Sequence, residues 1–327
     1  MHHFDDGPII DHHRVAQTHS VCDQVKMQRP DFLRLSQAQR ERLFFIDFRL
    51  YFLGSVNRYD LVTRFGIKKA AVTRDIALYK ELAAKNLEYD TKAKTYIQRD
   101  GFMPLFSYTS NQVLAALLYG FGDDFVSTSL AFNAAEAPTQ LHLPSCDILA
   151  LVTRAIYNQK AISISYCSLS SGSTHREIVP HTLIDNGLRW HVRGFDRLKG
   201  QFIDLVINRI KAITLIESDA ITEAEGQEAD TQWNRFVKLH LIPHPSLKHP
   251  ETIEHEYGMT DGSLSISVRA AVAGYVLRRW NIDCSENHQL KGPEYHLWLK
   301  NRQVLADVDN LVLAPGFSFT EQMSDNE

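Results

Sequence analysis

The sequence predicts an α+β multidomain protein: an N-terminal winged helix-turn-helix, a central small β-barrel and a C-terminal small α+β domain. Three observations predict it. Residues 57–82 read as two helices joined by a tight turn, the second opening on lysines. Residues 161–166, 188–193 and 208–210 read as strands of one small barrel, with polar and basic side chains on one face. Beyond residue 231, alternating apolar and polar residues flank one amphipathic helix, the mark of a small α+β module. The expected limits are 1–105 for an N-terminal arm and winged helix-turn-helix, 106–147 for a helical linker, 148–217 for the barrel and 231–319 for the C-terminal domain.

Taken in order, the first 30 residues are polar and hold His2, His3, His12, His13 and His19. They read as a loose or dimer-embracing arm, because a metal site needs a fixed geometry that this segment does not predict. From Ser36, residues Leu43, Phe44, Ile46, Asp47, Leu50 and Tyr51 form a broad, mainly apolar stripe on a helix that Gly54 ends. Asn57 suits the N-cap of the next helix, Asp60 in its first turn favours the positive helix end, and Gly66 stops it. Val72, Ile76, Tyr79 and Leu82 recur at spacings of three and four, which gives a third helix one buried stripe.

Residues 87–97 then read as two short strands around a polar turn, a wing. Thr109-Ser-Asn-Gln112 makes a capping box for a helix running to Gly120. Residues 121–147 form a connector with Pro138 and Pro144, and 148–160 a helix leading into the barrel. Residues 217–230 carry Glu217, Asp219, Glu223, Glu225, Glu228 and Asp230 and read as an acidic linker. After it come strands around Val237, Leu239, Leu241 and around Leu264, Ile266, Val268, a helix over 270–280, and a strand over 295–299. The tail after Phe319 is expected to be disordered.

The 327 residues leave room for two or three domains, and 44% hydrophobic with 23% charged residues is ordinary for a globular protein. A formal charge of -4 argues against a protein that coats nucleic acid along its whole surface, but it leaves room for a local basic patch. No apolar run has the length of a membrane span, and Met1-His-His-Phe-Asp-Asp6 lacks the basic start and apolar stretch of a signal peptide, so a cytoplasmic protein is expected. Cys22, Cys146, Cys167 and Cys284 are scattered, which predicts free thiols rather than a zinc cluster.

The charge is unevenly spread. Between Asn57 and Lys85 seven basic residues stand against three acidic ones. With the apolar stripe facing inward, Lys68, Lys69, Thr73 and Arg74 remain at the exposed start of the third helix, with Lys80 further along and Arg58 on the helix before. A recognition helix places such N-terminal residues against base edges in the major groove of double-stranded DNA, while other basic groups meet phosphate. The alternative is a charged, solvated helix face; the wing and the local excess of positive charge favour DNA.

In the strand around Trp190, a period of two puts Leu188, Trp190 and Val192 on one face and Arg189, His191 and Arg193 on the other. With Arg209 on a later strand, this makes a cationic ladder suited to an anionic ligand, since arginine offers a bidentate fork to phosphate or carboxylate. Tyr166, Ser168, Ser171 and His181 lie near strand ends and can add neutral hydrogen bonds. Trp190 also reads as simple core packing, Tyr166 as a buried ring, and His191 with Arg193 as a solvated face or a contact to a neighbouring domain.

Trp190-His-Val192, with Tyr166, Ile178-Val-Pro-His181 and Asn208-Arg-Ile210, resembles a WYL domain with His and Val in place of Tyr and Leu. Phe65-Gly-Ile67, Arg74-Asp-Ile-Ala-Leu-Tyr79 and Asn86-Leu-Glu-Tyr-Asp90 resemble the winged helix-turn-helix of WYL regulators. The part from Trp233, with Val268-Arg-Ala270 and Tyr275-Val-Leu-Arg-Arg-Trp280, resembles their C-terminal extension domain. The likeness covers roughly residues 36–315 and is strongest to regulators beside phage-defence operons of the BREX and CBASS kinds.

This resemblance implies a homodimeric bacterial transcription factor with an Sm-like WYL barrel that senses a nucleotide or nucleic-acid effector. Tyr166, Ser168, His181, His191, Arg193 and Arg209 stand at the family's pocket positions. A repressor binding an inverted-repeat operator is expected. The alternatives are a WYL activator of DNA-damage genes and a nucleic-acid-sensing accessory protein that reads no operator. An effector site separable from DNA reading would let Arg193→Ala with Arg209→Ala keep the fold and lose only the response. The sequence holds no Gly-x-Ser-x-Gly elbow, P-loop or His-Glu-x-x-His, and Gly120-Phe-Gly122 is only a fragment of a dinucleotide fingerprint. No catalytic residue, cofactor or metal is therefore expected.

Overall fold

The computed structural model describes residues 35–119, 141–216 and 220–318. The His-rich arm, Gly120-Phe-Gly122, the connector through Pro138, Glu217, Asp219 and the tail after Phe319 lie outside the described residues. The chain divides into two units, Met1–Ala137 and Pro138–Glu327.

In the first unit, the Ser36 side chain and Gln39 close a capping box that starts α1 (Gln37–Phe48). The helix continues as a π-helical segment, Arg49–Leu53, until Gly54 stops it at φ 82°, a left-handed conformation that suits glycine. After β1 (Ser55–Val56), Asn57 and Asp60 form the capping box of α2 (Arg58–Phe65), and Gly66 ends it at φ 62°. α3 (Lys69–Leu82) follows with no side-chain cap. β2 (Leu87–Asp90) and β3 (Thr95–Gln98) form the expected wing in a sheet of order β1-β3-β2. Thr109 and Gln112 cap α4 (Ser110–Tyr119) reciprocally.

The core of this unit is aromatic. Phe48 and Phe52 sit 4.7 Å apart, Phe44 meets Phe106 edge-on at 5.2 Å, and Phe52 meets Tyr108 edge-on at 5.1 Å. Two long-range polar contacts fix α3 against α1. Arg42 Nε donates to Asp75 at 2.7 Å, and the Tyr79 hydroxyl donates to the fully buried Asp47 at 2.5 Å.

In the second unit, Ser145 caps α5 (Cys146–Tyr157), which lies against β4 (Ala161–Ser168), β5 (Gly172–Asp185) and β8 (Ile210–Ile216). With β6 (Trp190–Asp196) and β7 (Gln201–Val206) these strands make one sheet of order β7-β6-β5-β4-β8. The barrel expected from the strand pattern is therefore corrected to an open sheet, because its end strands β7 and β8 do not pair with each other. Alternation along a strand says which residues share a face, not whether the edge strands meet.

The 14-residue β5 pairs with β4 along its first half and with β6 along its second. The register with β6 shifts between Pro180 and Thr182, which leaves His181 as the extra residue of a bulge. Gly194 faces this bulge. A Cβ there would stand 2.4 Å from the Val179 carbonyl oxygen, so the close backbone approach needs glycine.

The segment read as an acidic linker is folded over its described part. Two short 3-10 turns, Glu223–Glu225 and Gln227–Ala229, lead to α6 (Thr231–Asn234), which Asp230 caps. Two of its acids are spent on partners: Arg197 Nε donates to Glu225 at 2.6 Å, and Arg193 Nε to the buried Asp230 at 2.6 Å. β9 (Phe236–Pro243) then forms the centre of a sheet of order β10-β9-β11, with β10 Leu264–Arg269 and β11 Leu297–Leu299. α7 (Pro250–Glu256) and α8 (Ala270–Arg279) accompany it, and Leu239, Leu241, Leu277, Ile282 and Leu299 fill its core. No helix among the described residues is long and apolar enough to cross a membrane.

Candidate nucleic-acid interface and effector cavity

In the first unit, α3 buries Val72, Asp75, Ile76 and Tyr79 and leaves Lys68, Lys69, Thr73, Arg74 and Lys80 exposed. This is the face split that a period of 3.6 requires. Thr73 Oγ1 donates to the Lys69 carbonyl at 3.1 Å, so its hydroxyl lies along the helix. No hydrogen bond or ion pair engages the charged ends of Lys68, Lys69, Arg74 or Lys80 among the described residues.

Two of the three acids of this region are occupied elsewhere, Asp60 by Arg49 and Asp75 by Arg42, and the third, Glu81, is exposed near the end of α3. The positive charge at the start of α3 therefore stays outward. Lys68 precedes the helix in extended conformation with no side-chain cap, so the first N–H groups of α3 are open to an anion. Arg58 is exposed at the start of α2, and its Nη2 donates to the Tyr96 hydroxyl at 3.3 Å, which ties it to the wing.

Lys92 and Lys94 extend the basic surface beyond the residues expected from the sequence. Both stand exposed in the turn between β2 and β3, where Asp90 accepts from the Lys92 and Ala93 N–H groups. The signal was present in Asp90-Thr-Lys-Ala-Lys94, a turn-forming aspartate followed by two lysines.

In the second unit, the expected ligand residues separate into three groups. Tyr166, His191 and Arg209 line one cavity of about 620 Å³. The Tyr166 hydroxyl accepts from the Val206 N–H at 3.2 Å, and the His191 ring lies 5.2 Å from that of Tyr275 on α8. Burial lowers the pKa of His191, against an opposing pull from Asp204, so the imidazole is neutral near pH 7.

His181 and Arg193 form the second group, centred on Asp230. Arg193 Nε and Nη2 donate to the two oxygens of Asp230 at 2.6 and 2.9 Å, and Nη1 donates to Asp204 at 2.9 Å. The bulge carries His181 Nε2 to within 2.9 Å of Asp230. Burial opposes the charge on Asp230, but hydrogen bonds from His181 and Arg193 outweigh it and hold the carboxyl well below its usual value. Tyr275 closes the network by donating to Asp204 at 2.9 Å. Arg193 is thus 4% exposed and already neutralised by two carboxylates of its own chain.

Ser168 and Ser171 form the third group, away from the cavity lining. Ser168 Oγ accepts from the Ser170 and Ser171 N–H groups and shapes the turn between β4 and β5. The cavity also holds Arg189, a member of the expected cationic ladder, and residues that the strand pattern did not select: Asp204, and Tyr275, Arg278 and Arg279 from α8. No local signal pairs them, since α8 lies more than sixty residues beyond Arg209.

Comparison with known proteins follows this division. The family described as the BrxR transcriptional regulator winged helix-turn-helix domain matches residues 38–118, the WYL domain matches 147–215, and the BrxR C-terminal dimerization domain matches 236–305. The DNA-binding transcriptional repressor CapW of Escherichia coli (strain KTE188) is 31% identical over 276 residues, covering 81% of this chain and 89% of the relative. CapW of Pseudomonas aeruginosa is 32% identical over 83% of this chain and 91% of the relative, and that of Stenotrophomonas maltophilia 30% over 75% and 84%. The solved proteasome accessory factor B/C (PafBC) of Arthrobacter aurescens aligns at 16% identity with a TM-score of 0.24, over 74% of this chain and 44% of that one, and carries no argument. With all three domains matched in order and relatives aligned over most of its length, the chain belongs to the BrxR and CapW family of WYL-domain transcriptional regulators.

Proposed function

We propose that this regulator is a homodimeric repressor that binds an inverted-repeat operator and answers to a nucleotide or nucleic-acid effector held in the cavity of its WYL sheet. The exposed basic face of α3 carries this reading, because its opposite face is fixed to α1 through Asp75 and Tyr79 while its cations meet no partner among the described residues. Lys68, Lys69, Thr73 and Arg74 enter the major groove; Arg58, Lys80 and the wing lysines Lys92 and Lys94 meet phosphate. The CapW relatives are named DNA-binding repressors, which favours repression over activation. The controlled operon is one of phage defence, and the protein acts in the cytoplasm, without cofactor or catalysis. Tyr166, His191 and Arg209 contact the effector. His181 and Arg193 hold the cavity's rear wall through Asp230 and Asp204, and Ser168 and Ser171 shape its nearby turn.

Two heads related by a twofold axis require half-sites about 10 bp, or a multiple of that, apart. A mobility shift on fragments of its own promoter is expected to show one such inverted repeat. Equal affinity for a scrambled site of the same length would sink this reading.

Lys69→Ala and Arg74→Ala are each expected to cost about 1–3 kcal/mol on the operator if the side chain reads a base. Lys80→Ala is expected to weaken all sequences alike and to flatten the salt slope by about one unit per lost phosphate contact. Unchanged affinity in all three variants would mean that a different face of α3 meets DNA.

A further inference from the structure

Seven arginines of the WYL sheet and α8 divide sharply by partner. Arg176 is paired with Asp196, Arg193 with Asp204 and Asp230, and Arg197 with Glu225 and Glu177. Arg189, Arg209, Arg278 and Arg279 all line the cavity of about 620 Å³, and no carboxylate or hydrogen-bond acceptor meets their guanidinium groups among the described residues. Four guanidinium groups around one cavity make it positively charged and suited to an anion.

The arrangement is built rather than incidental. Gly187, at φ 85°, lies so close to Arg279 that a Cβ would stand 2.9 Å from its Nε, so glycine lets this side chain lie across the turn before β6. Tyr275 stands three and four residues before Arg278 and Arg279, on the same face of α8, and its bond to Asp204 turns that face to the sheet. The cavity wall also holds His191, whose buried Nδ1 has no hydrogen-bond partner among the described residues. Leu169 and Leu188, 87% and 66% exposed, add apolar surface at the same cavity. Basic residues at the end of α8 also suit the negative helix end, but that does not account for Arg189 and Arg209 on the facing elements.

We propose that the C-terminal domain completes the effector site: Arg278 and Arg279 of α8 bind the ligand together with Arg189 and Arg209, and the ligand is a phosphate ester with at least two linked phosphates and an apolar or aromatic part. This rests on the cavity being the effector site. An internal phosphodiester carries one negative charge and a terminal phosphate about -1.5 to -2, so four arginines match two or more linked phosphates rather than one. A short oligonucleotide and a nucleoside diphosphate share this chemistry.

The test is fluorescence anisotropy of a dye-labelled, 5′-phosphorylated DNA tetranucleotide with the full chain, with ADP and inorganic phosphate as competitors. Arg278→Ala with Arg279→Ala is expected to weaken the tetranucleotide on the order of tenfold or more, and to flatten its salt slope by about 0.7 per lost phosphate contact. The Lys pair at the same positions is expected to restore part of the binding, because it keeps the charge. Lys69→Ala with Arg74→Ala, in the head, separates this site from the DNA-reading surface. Displacement by ADP at lower concentration than the tetranucleotide requires would identify the ligand as a small nucleotide within the same class.

If the wild type binds and the Arg278, Arg279 double alanine variant binds equally, with the same salt slope, the C-terminal contribution is overturned while the effector reading stands. If the wild type binds neither the tetranucleotide nor ADP, the effector reading itself falls. Competition by inorganic phosphate as strong as by ADP overturns the need for two linked phosphates.

Discussion

Arg193→Ala is expected to destabilise the second unit by about 3–5 kcal/mol, the usual cost of removing one partner from a buried charge network. The guanidinium donates to both oxygens of Asp230 and to Asp204, whose side chains are 1% and 10% exposed. Without it two carboxylates lie buried, with only His181, Tyr275 and the Trp233 N–H left to face them. Denaturant unfolding followed by tryptophan fluorescence reads this directly, since Trp190, Trp233, Trp280 and Trp298 all lie in that unit.

The pH profile gives a second readout. Asp230 is held below its ordinary value of 3.8, so its contribution is fully present above that pH and is lost as the pH falls below it. Arg193→Ala is expected to flatten that acid limb. Arg209→Ala, at the cavity and without a carboxylate partner, is expected to leave stability within about 0.5 kcal/mol of wild type, the usual range for surface changes. A stable Arg193→Ala protein would show that the network is dispensable and restore the sequence-based expectation that this arginine is separable from the fold.

The contrast between Arg193 and Arg209 shows what was legible in the sequence. The local signals were sufficient wherever the partners are neighbours. Ser36, Asn57 with Asp60, Gly54 and Gly66, and Thr109 with Gln112 all mark helix ends as expected. The stripe of Val72, Ile76 and Tyr79 also gave the exposed face of α3 correctly. Period two likewise separated Trp190 and Val192 from His191 and Arg193, but both faces of β6 proved buried. Alternation cannot say what covers a face, and here Tyr275 and Asp230 cover the second.

Composition misled in a related way. The run of acids before Thr231 resembles a solvated linker, yet Glu225 and Asp230 are the counterions of Arg197 and Arg193, found only once β5, β6 and β7 are assembled. Arg278 and Arg279 were quoted as part of the likeness to the C-terminal extension domain, with nothing in their spacing to place them at the WYL cavity.

A second long-range polar contact, in the first unit, makes its stability depend on pH in the opposite direction. Asp47 is fully buried and accepts from the Tyr79 and Tyr108 hydroxyls at 2.5 and 2.7 Å and from the Leu105 N–H at 3.1 Å. Burial nevertheless outweighs these donors and raises its pKa from 3.8 to about 6. A carboxyl whose pKa is raised on folding contributes stability that is fully present below 3.8 and lost as the pH rises through about 6. At about 1.36 kcal/mol per pH unit, the loss is about 3 kcal/mol.

The tryptophans are blind to this unit, so the measurement is hydrogen exchange of α1 and α3 amides in the full chain between pH 4 and pH 7, corrected for intrinsic exchange. Protection is expected to fall across that range in the wild type. In Asp47→Asn it is expected to stay level and to start lower, by about 1–3 kcal/mol, because the amide turns an N–H toward donors that the carboxylate accepts from. A wild type whose α1 and α3 protection is flat over the same range would mean that the surrounding donors, the Phe106 N–H included, and not burial decide the charge on Asp47. The recognition helix would then be held by an ionised carboxylate at every pH tested.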